Sequence, residues 1–572
     1  MTEVPVSETQ DELAREMRAQ MAAVTGGLAP DDYIQAWWDW YLNLAKAPSK
    51  QSELAESAFK AFADHWNFAS RALTGQRVAP SSTDARFAGE AWSQWPFNVL
   101  ARGYLNWEQL VRQSTSQVPG LSGRNADLVK FSSQQLLEAA SPSNSLLSNP
   151  ELLELTRAES GQNLIKGFKN WLEDADALLN RKPGTGGAEF RVGENLAITP
   201  GKVVYRNKLI ELIQYTPTTP QVHAEPILIV PAWIMKFYIL DLSPRNYLVR
   251  YLVEKGHTVF MVSWKNPNEA DRELGMDDYL DLGIRDAISA VRAIVPDTRI
   301  HAVGYCIGGT LLSIAAADLA RRDDQPFASM TLLAAQTDFS SPGELSLFIS
   351  PSQLDMLEAV MNKAGVLTSE QMGASFMMLR SRDLLWNPVV NTYLKGERQK
   401  LNDLMAWNSD GTRMPCRMHS EYLRQLYLNN DLAAGRYKVH GETIELSGIT
   451  LPMFVLGTEA DHVAPWKSVY KARGLTRSSD FTFVLTSAGH NGGIVCGPEN
   501  PKRRFRQLVW HDADTQLSPE VWLEQAAMQQ GSWWPSWQAW LAAHSGPQKV
   551  EPPQAGNHPS LGDAPGSYVL QR

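Results

Sequence analysis

The sequence predicts an α/β protein whose mostly parallel sheet follows a mainly helical N-terminal domain and is interrupted by a helical insertion. Three observations carry that expectation. After about residue 190 short β-branched runs recur, helical patterns separate them, and several runs are continuously apolar, as strands buried on both faces of a parallel sheet are. The 572 residues are 44% hydrophobic and 20% charged, a core-forming composition. At roughly 150 residues per domain, that length allows about two to four domains.

Before residue 190 the chain reads as helical and strand-poor. Gln10 to Val24, Asp31 to Ala47 and Ser52 to Leu73 carry apolar side chains at helical spacing, with Asp31 and Ser52 where N-caps belong. FAGEAWSQWPFN from Phe87 and SPSNSLLSNP from Ser141 stand out within this part, and RKPGTGG from Arg181 has linker composition. The expected domains are 1–190, helical; 191–545, catalytic α/β; and 546–572, a Pro/Gly-rich tail.

The expected strands are Lys202 to Tyr205, Ile210 to Tyr215, Ile227 to Val230, Thr258 to Trp264, Arg299 to Tyr305, Met330 to Ala334, Met453 to Leu456 and Phe481 to Leu485. Helices are expected between them, notably Asp277 to Ile294 and Gly308 to Ala320. The alternation lapses between about 340 and 448. A structureless connection of that length is implausible, so an inserted subdomain is expected. It holds eight of the 17 methionines, which suits a small Met-rich core and equally a mobile cap over an apolar pocket. Val521 to Leu541 reads as a helix dense in tryptophan (WWPSWQAW).

Composition narrows the function. Lys and Arg number 53 against 62 Asp and Glu, a net charge of −9, so no basic excess exists to neutralise phosphates and no nucleic-acid partner is expected. Three cysteines make no disulfide scaffold and no CxxC or Cys/His spacing marks a zinc site, which points to a reducing compartment. The segment MTEVPVSETQDELAREM lacks the basic and apolar regions of a secretory signal. The longest apolar stretches, such as Pro226 to Met235, fall far short of the roughly 18 residues of a membrane span. A soluble cytoplasmic protein is expected. Nineteen tryptophans remain as an unusual number.

The strongest chemical signal is RIHAVGYCIGGT, Arg299 to Thr310. A strand runs into Gly304-Tyr305-Cys306-Ile307-Gly308-Gly309 and a helical pattern follows. That is the strand–turn–helix context of G-x-S-x-G in an α/β-hydrolase fold, with Cys in place of Ser. Side chains two residues either side of so tight a turn would clash with neighbouring strand and helix, hence the glycines. The turn also sets Cys306 at a helix N-terminus, where the dipole and free N–H groups favour a thiolate. Cys416 and Cys496 lack that frame and read as small apolar fillers.

In this fold the partners follow as nucleophile, acid, then histidine. MFVLGTEADHVAPW ends a strand in an acidic turn with Glu459 and Asp461, and FTFVLTSAGHNGGI ends the next in His490. Both lie at strand C-termini, on the sheet edge that carries Cys306. His490 would deprotonate Cys306, and Asp461, deeper in its turn than Glu459, would orient the imidazole. His419 and His462 read as structural or surface residues. The oxyanion hole is expected from the Ile307 N–H and one donor at Trp233 or Ile234, in the loop after Ile227 to Val230. No cofactor or metal is expected.

A Cys nucleophile exchanges thioester for thioester in a nearly balanced step and keeps the acyl group ready for an alcohol. Acyl transfer from a CoA-type donor therefore suits it better than hydrolysis, although dienelactone-hydrolase-like enzymes also use a Cys in this turn.

The segments GYCIGGT, VPAWIMKFYILDLSP, FMVSWKNP, LRSRDLLWNPVVNTYLKG, AWNSDGTRMP, GTEADHVAPW and SAGHNGGI resemble poly(3-hydroxyalkanoate) synthases, the single-polypeptide class I enzymes above all. The resemblance runs from roughly Phe87 to Val569 and takes in GSWWPSWQAWL and APGSYV. It implies that Cys306 carries the growing polyester as a thioester, with His490 and Asp461 assisting. It implies an (R)-3-hydroxyacyl-CoA substrate, CoA as product, a homodimer, and residence at the surface of cytoplasmic granules among granule-associated proteins. Ile307 and Gly492-Gly493 suggest a short-chain preference. One departure is Met235, where the family usually has Asn before its Lys. Lys236, Arg380 and Arg382 are the candidates for the CoA phosphates.

Overall fold

Apolar runs bounded by turn residues become the strands of a ten-stranded sheet in the computed structural model, which describes residues 16–22, 28–76, 78–80, 83–180, 189–244, 246–511, 516–553 and 561–572. Along the chain they are β1 (Gly201–Arg206), β2 (Ile210–Tyr215), β3 (Ile227–Val230), β4 (Val259–Trp264), β5 (Ile300–Tyr305), β6 (Phe327–Leu333), β7 (Met453–Thr458), β8 (Asp480–Thr486), β9 (Arg504–His511) and β10 (Met528–Gln530). Their spatial order is β1-β2-β4-β3-β5-β6-β7-β8-β9-β10. The six strands from β4 to β8 in that order pair in parallel, and antiparallel strands close both edges. Every residue of β3, β4, β5, β6 and β7 is buried, which is why those runs lack polar alternation. The α/β class holds.

Strand β5 lies between β3 and β6, with Gly304 opposite both Val230 and Leu332. The ends of three central strands therefore meet where the chain turns into the helix Ile307–Arg321, itself buried over most of its length. Strands β9 and β10 were not expected. RFRQLVWH in β9 carries four charged or polar side chains, Arg504, Arg506, Gln507 and His511, and is half-exposed, so it offers neither a continuous apolar run nor a clean alternation. The expected single helix over Val521 to Leu541 is in fact Pro519–Gln525, then β10, then Trp534–Ala543. Gly531, at φ 98°, makes the turn that separates the last two.

The described residues fall into two compact units. The sheet unit lies within 1–22, 189–371 and 402–572; the helical unit lies within 23–188 and 372–401. Of the stretch expected as an insertion, residues 372–401 thus group with the helical unit and the remainder with the sheet unit. The described residues of the expected tail, 546–553 and 561–572, group with the sheet unit. Lys549–Val550 pairs with Val222–His223, and the amides of Leu561 and Ala564 donate to Val203 and Gly201 of β1 at 3.0 and 2.9 Å.

In the helical unit the expected helices begin earlier than their supposed caps. They run Pro30–Ala45 and Pro48–Leu73, with Ala29 and Ala47 as N-caps in place of Asp31 and Ser52. Proline at the first helical position lacks the N–H that would go unbonded there and already holds a helical φ, so it starts each helix. Most of the stretch Gln10 to Val24 and all of RKPGTGG lie outside the described residues. The FAGEAWSQWPFN segment builds a small core in which Phe87 meets Trp92 edge-on at 4.8 Å. Beside it the buried Arg86 guanidinium pairs with Glu108 at 2.6 Å and Asp84 at 2.7 Å.

Candidate active site

Cys306 sits on the turn between β5 and its helix with φ 54°, a left-handed value that a non-glycine residue adopts only under constraint from its surroundings. The flanking glycines explain how the turn closes. A Cβ on Gly304 would overlap Gly309 of the helix, and one on Gly308 would overlap the carbonyls of Val230 and Pro231 at the end of β3. The Cys306 turn therefore packs directly on the strand that leads into the loop Pro231 to Lys236. Cys306 keeps partial exposure, whereas Cys416 and Cys496 are buried.

Asp461 and His490 arrive from β7 and β8, beyond β6 in the sheet. The turn after β7 and the loop after β8 are laced together, Glu459 N donating to Thr486 O at 2.9 Å and Ala460 N to Ala488 O at 3.0 Å. His490 Nδ1 lies 2.8 Å from Asp461 Oδ2. That carboxylate also accepts from Thr458 Oγ1 at 2.9 Å, Val463 N at 2.9 Å and Ala464 N at 2.8 Å. Glu459, the competing acid, instead pairs with Arg504 at 3.2 Å.

The electrostatics follow from this geometry. Burial pushes the His490 imidazole down, but the charges and hydrogen bonds of Asp461 and Cys306 outweigh it and hold the group well above its ordinary pKa. Burial raises Asp461, yet the imidazole beside it and its hydrogen-bond donors keep it below the ordinary carboxylate range. Each partner stabilises the charged form of the other. His419 is buried and His462 half-buried.

Trp233 is buried against Trp264 and Tyr279, with ring centroids 5.7 and 5.0 Å away. Its carbonyl accepts from Thr412 Oγ1, and the Ile234 carbonyl accepts from Thr412 N at 3.2 Å. The amides of Trp233, Ile234 and Ile307 have no hydrogen-bond acceptor among the described residues. Lys236 does not suit a CoA phosphate: it is buried, and its ammonium is taken by backbone carbonyls of Val569 and Gln571. Arg380 and Arg382 fall in the helical unit, where Arg382 acts on Asp84 and Glu138. Among the described residues no group of three or more His, Cys, Asp or Glu is arranged to hold a metal ion.

Further residues near the site were given no role in it from the sequence. Tyr422 and Tyr427 face one another, the Tyr422 hydroxyl donating to that of Tyr427 at 3.3 Å, and Cys306 contributes to the raised pKa of both phenols. In an α-helix residues five apart diverge by about 140°; the π-helical turn Leu423–Leu428 brings them together. The loop of His490 is held by indoles. Trp533 Nε1 donates to Gly493 O at 2.9 Å and Trp534 Nε1 to Ile494 O at 3.0 Å. Tyr305, stacked obliquely 5.6 Å from His490, donates its hydroxyl to Asn491 Oδ1 at 2.7 Å.

Residues 83–252 match a family described as the poly-beta-hydroxybutyrate polymerase N-terminus, 8–50 match a poly-beta-hydroxybutyrate polymerase N-terminal family, and 225–495 match the alpha/beta hydrolase fold. The chain is 38% identical, over 93% of its length and 88% of the other protein, to a poly(3-hydroxyalkanoate) polymerase of Methylorubrum extorquens. It is 34% identical, over 100% and 95%, to a poly(3-hydroxyalkanoate) polymerase subunit of Rhizobium meliloti, and 35% identical, over 91% and 89%, to one of Cupriavidus necator. Among solved structures, a monoacylglycerol lipase of Paleococcus ferrophilus aligns with 59% of this chain and 99% of its own at 14% identity and a TM-score of 0.34. No helix among the described residues is long and apolar enough to cross a membrane.

Proposed function

The chain belongs to the poly(3-hydroxyalkanoate) polymerases, and on that premise we propose that it polymerises (R)-3-hydroxyacyl-CoA, 3-hydroxybutyryl-CoA foremost, releasing CoA through a thioester on Cys306. The observation that carries the reading is the 2.8 Å contact of His490 Nδ1 with Asp461 Oδ2, beside a cysteine held at φ 54°.

In the first half-reaction Cys306 Sγ attacks the thioester carbonyl and its proton passes to His490. The oxyanion is met by the Ile307 amide and by that of Trp233 or Ile234, which no other acceptor among the described residues takes. Collapse breaks the bond to the CoA sulfur, which takes the proton back from His490. Asp461 accepts the Nδ1 hydrogen throughout and holds the ring in one tautomer. In the second half-reaction the 3-hydroxyl of another acyl group attacks the Cys306 thioester. His490 takes the hydroxyl proton and returns it to Cys306 Sγ as the oxyester forms. One ester is made and one CoA thiol released per cycle, with no cofactor consumed. The same reading makes the enzyme a homodimer at the surface of cytoplasmic polyester granules, with granule-associated proteins and the growing polyester as partners.

The test is incubation with 3-hydroxybutyryl-CoA, with titration of released thiol and recovery of insoluble polyester. Wild type should yield both, and Cys306→Ala neither, at an unchanged thermal midpoint. A fully active Cys306→Ala variant would sink the mechanism. Thiol release with only free 3-hydroxybutyrate would make the protein a hydrolase.

A further inference from the structure

Lys236 is 3% exposed and ends the loop that follows β3. An ammonium taken out of water is costly unless hydrogen-bonded, and here the bonds come from more than 330 residues away in sequence: Lys236 Nζ donates to Val569 O at 2.8 Å and to Gln571 O at 2.5 Å. The segment that supplies these carbonyls is itself pinned. Ser567 N and Tyr568 N donate to the buried Glu211 carboxylate at 2.8 and 2.9 Å, Val569 is 2% exposed, and Asn266 N donates to Gln571 Oε1 at 3.1 Å.

At its other edge the same loop is held by residues 407–412. Trp407 Nε1 donates to Lys236 O at 2.7 Å, Met235 bridges Gly411, and Thr412 takes the carbonyls of Trp233 and Ile234. A trans peptide is planar, so fixing the Trp233 carbonyl also fixes the direction of the Ile234 N–H. The loop begins at Pro231, whose carbonyl touches Gly308 of the nucleophile turn.

We infer that Lys236 and the segment Val569 to Gln571 form a brace that positions the oxyanion loop against Cys306. The inference rests on the proposed acyl transfer and gives Lys236 a positioning role in it, with no contact to substrate. It also accounts for the backbone carbonyls, which no substitution can remove, as the partners of a charged side chain. Burial depresses the Lys236 pKa, and Asp410, Arg413 and Arg572 are the other charges that act on it.

Lys236→Met keeps the apolar stem and removes the donors. A full chain ending at Leu570 removes the Gln571 carbonyl and leaves Val569. Each should lower kcat for thiol release from 3-hydroxybutyryl-CoA by about 100-fold, the scale of a 1 Å misplacement of a reacting group. KM, and the rate at which iodoacetamide alkylates Cys306, should stay near wild type, because the Cys306–His490 pair is untouched. The double variant should be slower by less than the product of the two single effects, since both remove the Lys236–Gln571 bond. An unchanged kcat in Lys236→Met, or alkylation falling in step with kcat, overturns the brace. A wild-type chain that releases no thiol overturns the acyl-transfer reading and the brace with it.

Discussion

Ten tryptophans lie in the sheet unit and nine in the helical unit, and the two sets are used in opposite ways. Nine of the ten in the sheet unit are buried, whereas five of the nine in the helical unit are largely exposed. In the sheet unit the indoles act twice. They fill the core, and four of their N–H groups reach backbone carbonyls: Trp533 to Gly493, Trp534 to Ile494, Trp264 to Pro231 and Trp407 to Lys236. Each of those carbonyls belongs to a loop beside Cys306 or His490. In the helical unit Phe59, Phe62, Trp66 and Leu73 share one face of the helix Pro48–Leu73 and turn it to solvent. Apolar periodicity decides which residues share a helix face; it does not decide whether anything covers that face.

The largest effect that separates the two regions should come from Trp533→Ala. Truncating so large a buried ring typically costs about 3–5 kcal/mol, and here it also strands the Gly493 carbonyl. Chemical denaturation of the purified protein should show that loss, with thiol release from 3-hydroxybutyryl-CoA reduced as the His490 loop loosens. Wild-type stability would contradict both the packing role of the ring and the role of its N–H at Gly493.

Acid should produce the next effect. Burial, and then the neighbouring histidines, push His257 down to about 3 and His301 to about 4 from an ordinary 6.5. Above pH 6.5 neither the folded nor the unfolded chain protonates these rings, so they make stability no function of pH there. Below it the unfolded chain binds protons that the folded one refuses, and the stability of the sheet unit should fall as pH drops toward 4 and then 3. Urea midpoints measured across that range test this, and a flat profile would contradict it.

The smallest effect should come from Trp66→Ser, at 66% exposure. Stability should move by no more than about 0.5 kcal/mol, and turnover of soluble substrate not at all. A large loss of stability would show that the exposed aromatic face carries structure after all.

Much of this was legible in the sequence, for a local reason. The turn at Cys306 needs a strand, two glycines of no bulk and a helix start within about ten residues, and each requirement leaves its mark in RIHAVGYCIGGT. The central strands were equally legible, because burial on both faces excludes polar residues from them. The order of acid and histidine along the chain followed from the fold once the turn was found. Strand β9 escaped because a half-exposed strand tolerates the arginines and glutamine of RFRQLVWH, which hide its period.

Tertiary structure decided what depends on partners remote in sequence. Asp461 and Glu459 are both acids in one turn, and although the sequence favours Asp461, it is the position of His490, with Arg504 drawing off Glu459, that pairs one acid and not the other with the imidazole. Lys236 looked like a free cation until residues 569–571 closed over it. Tyr422 and Tyr427 met because a helical turn widened. Backbone strain and close approach are written in neighbouring residues; the burial of a charge, the pairing of an acid and the covering of an aromatic face are set by whatever the rest of the chain brings against them.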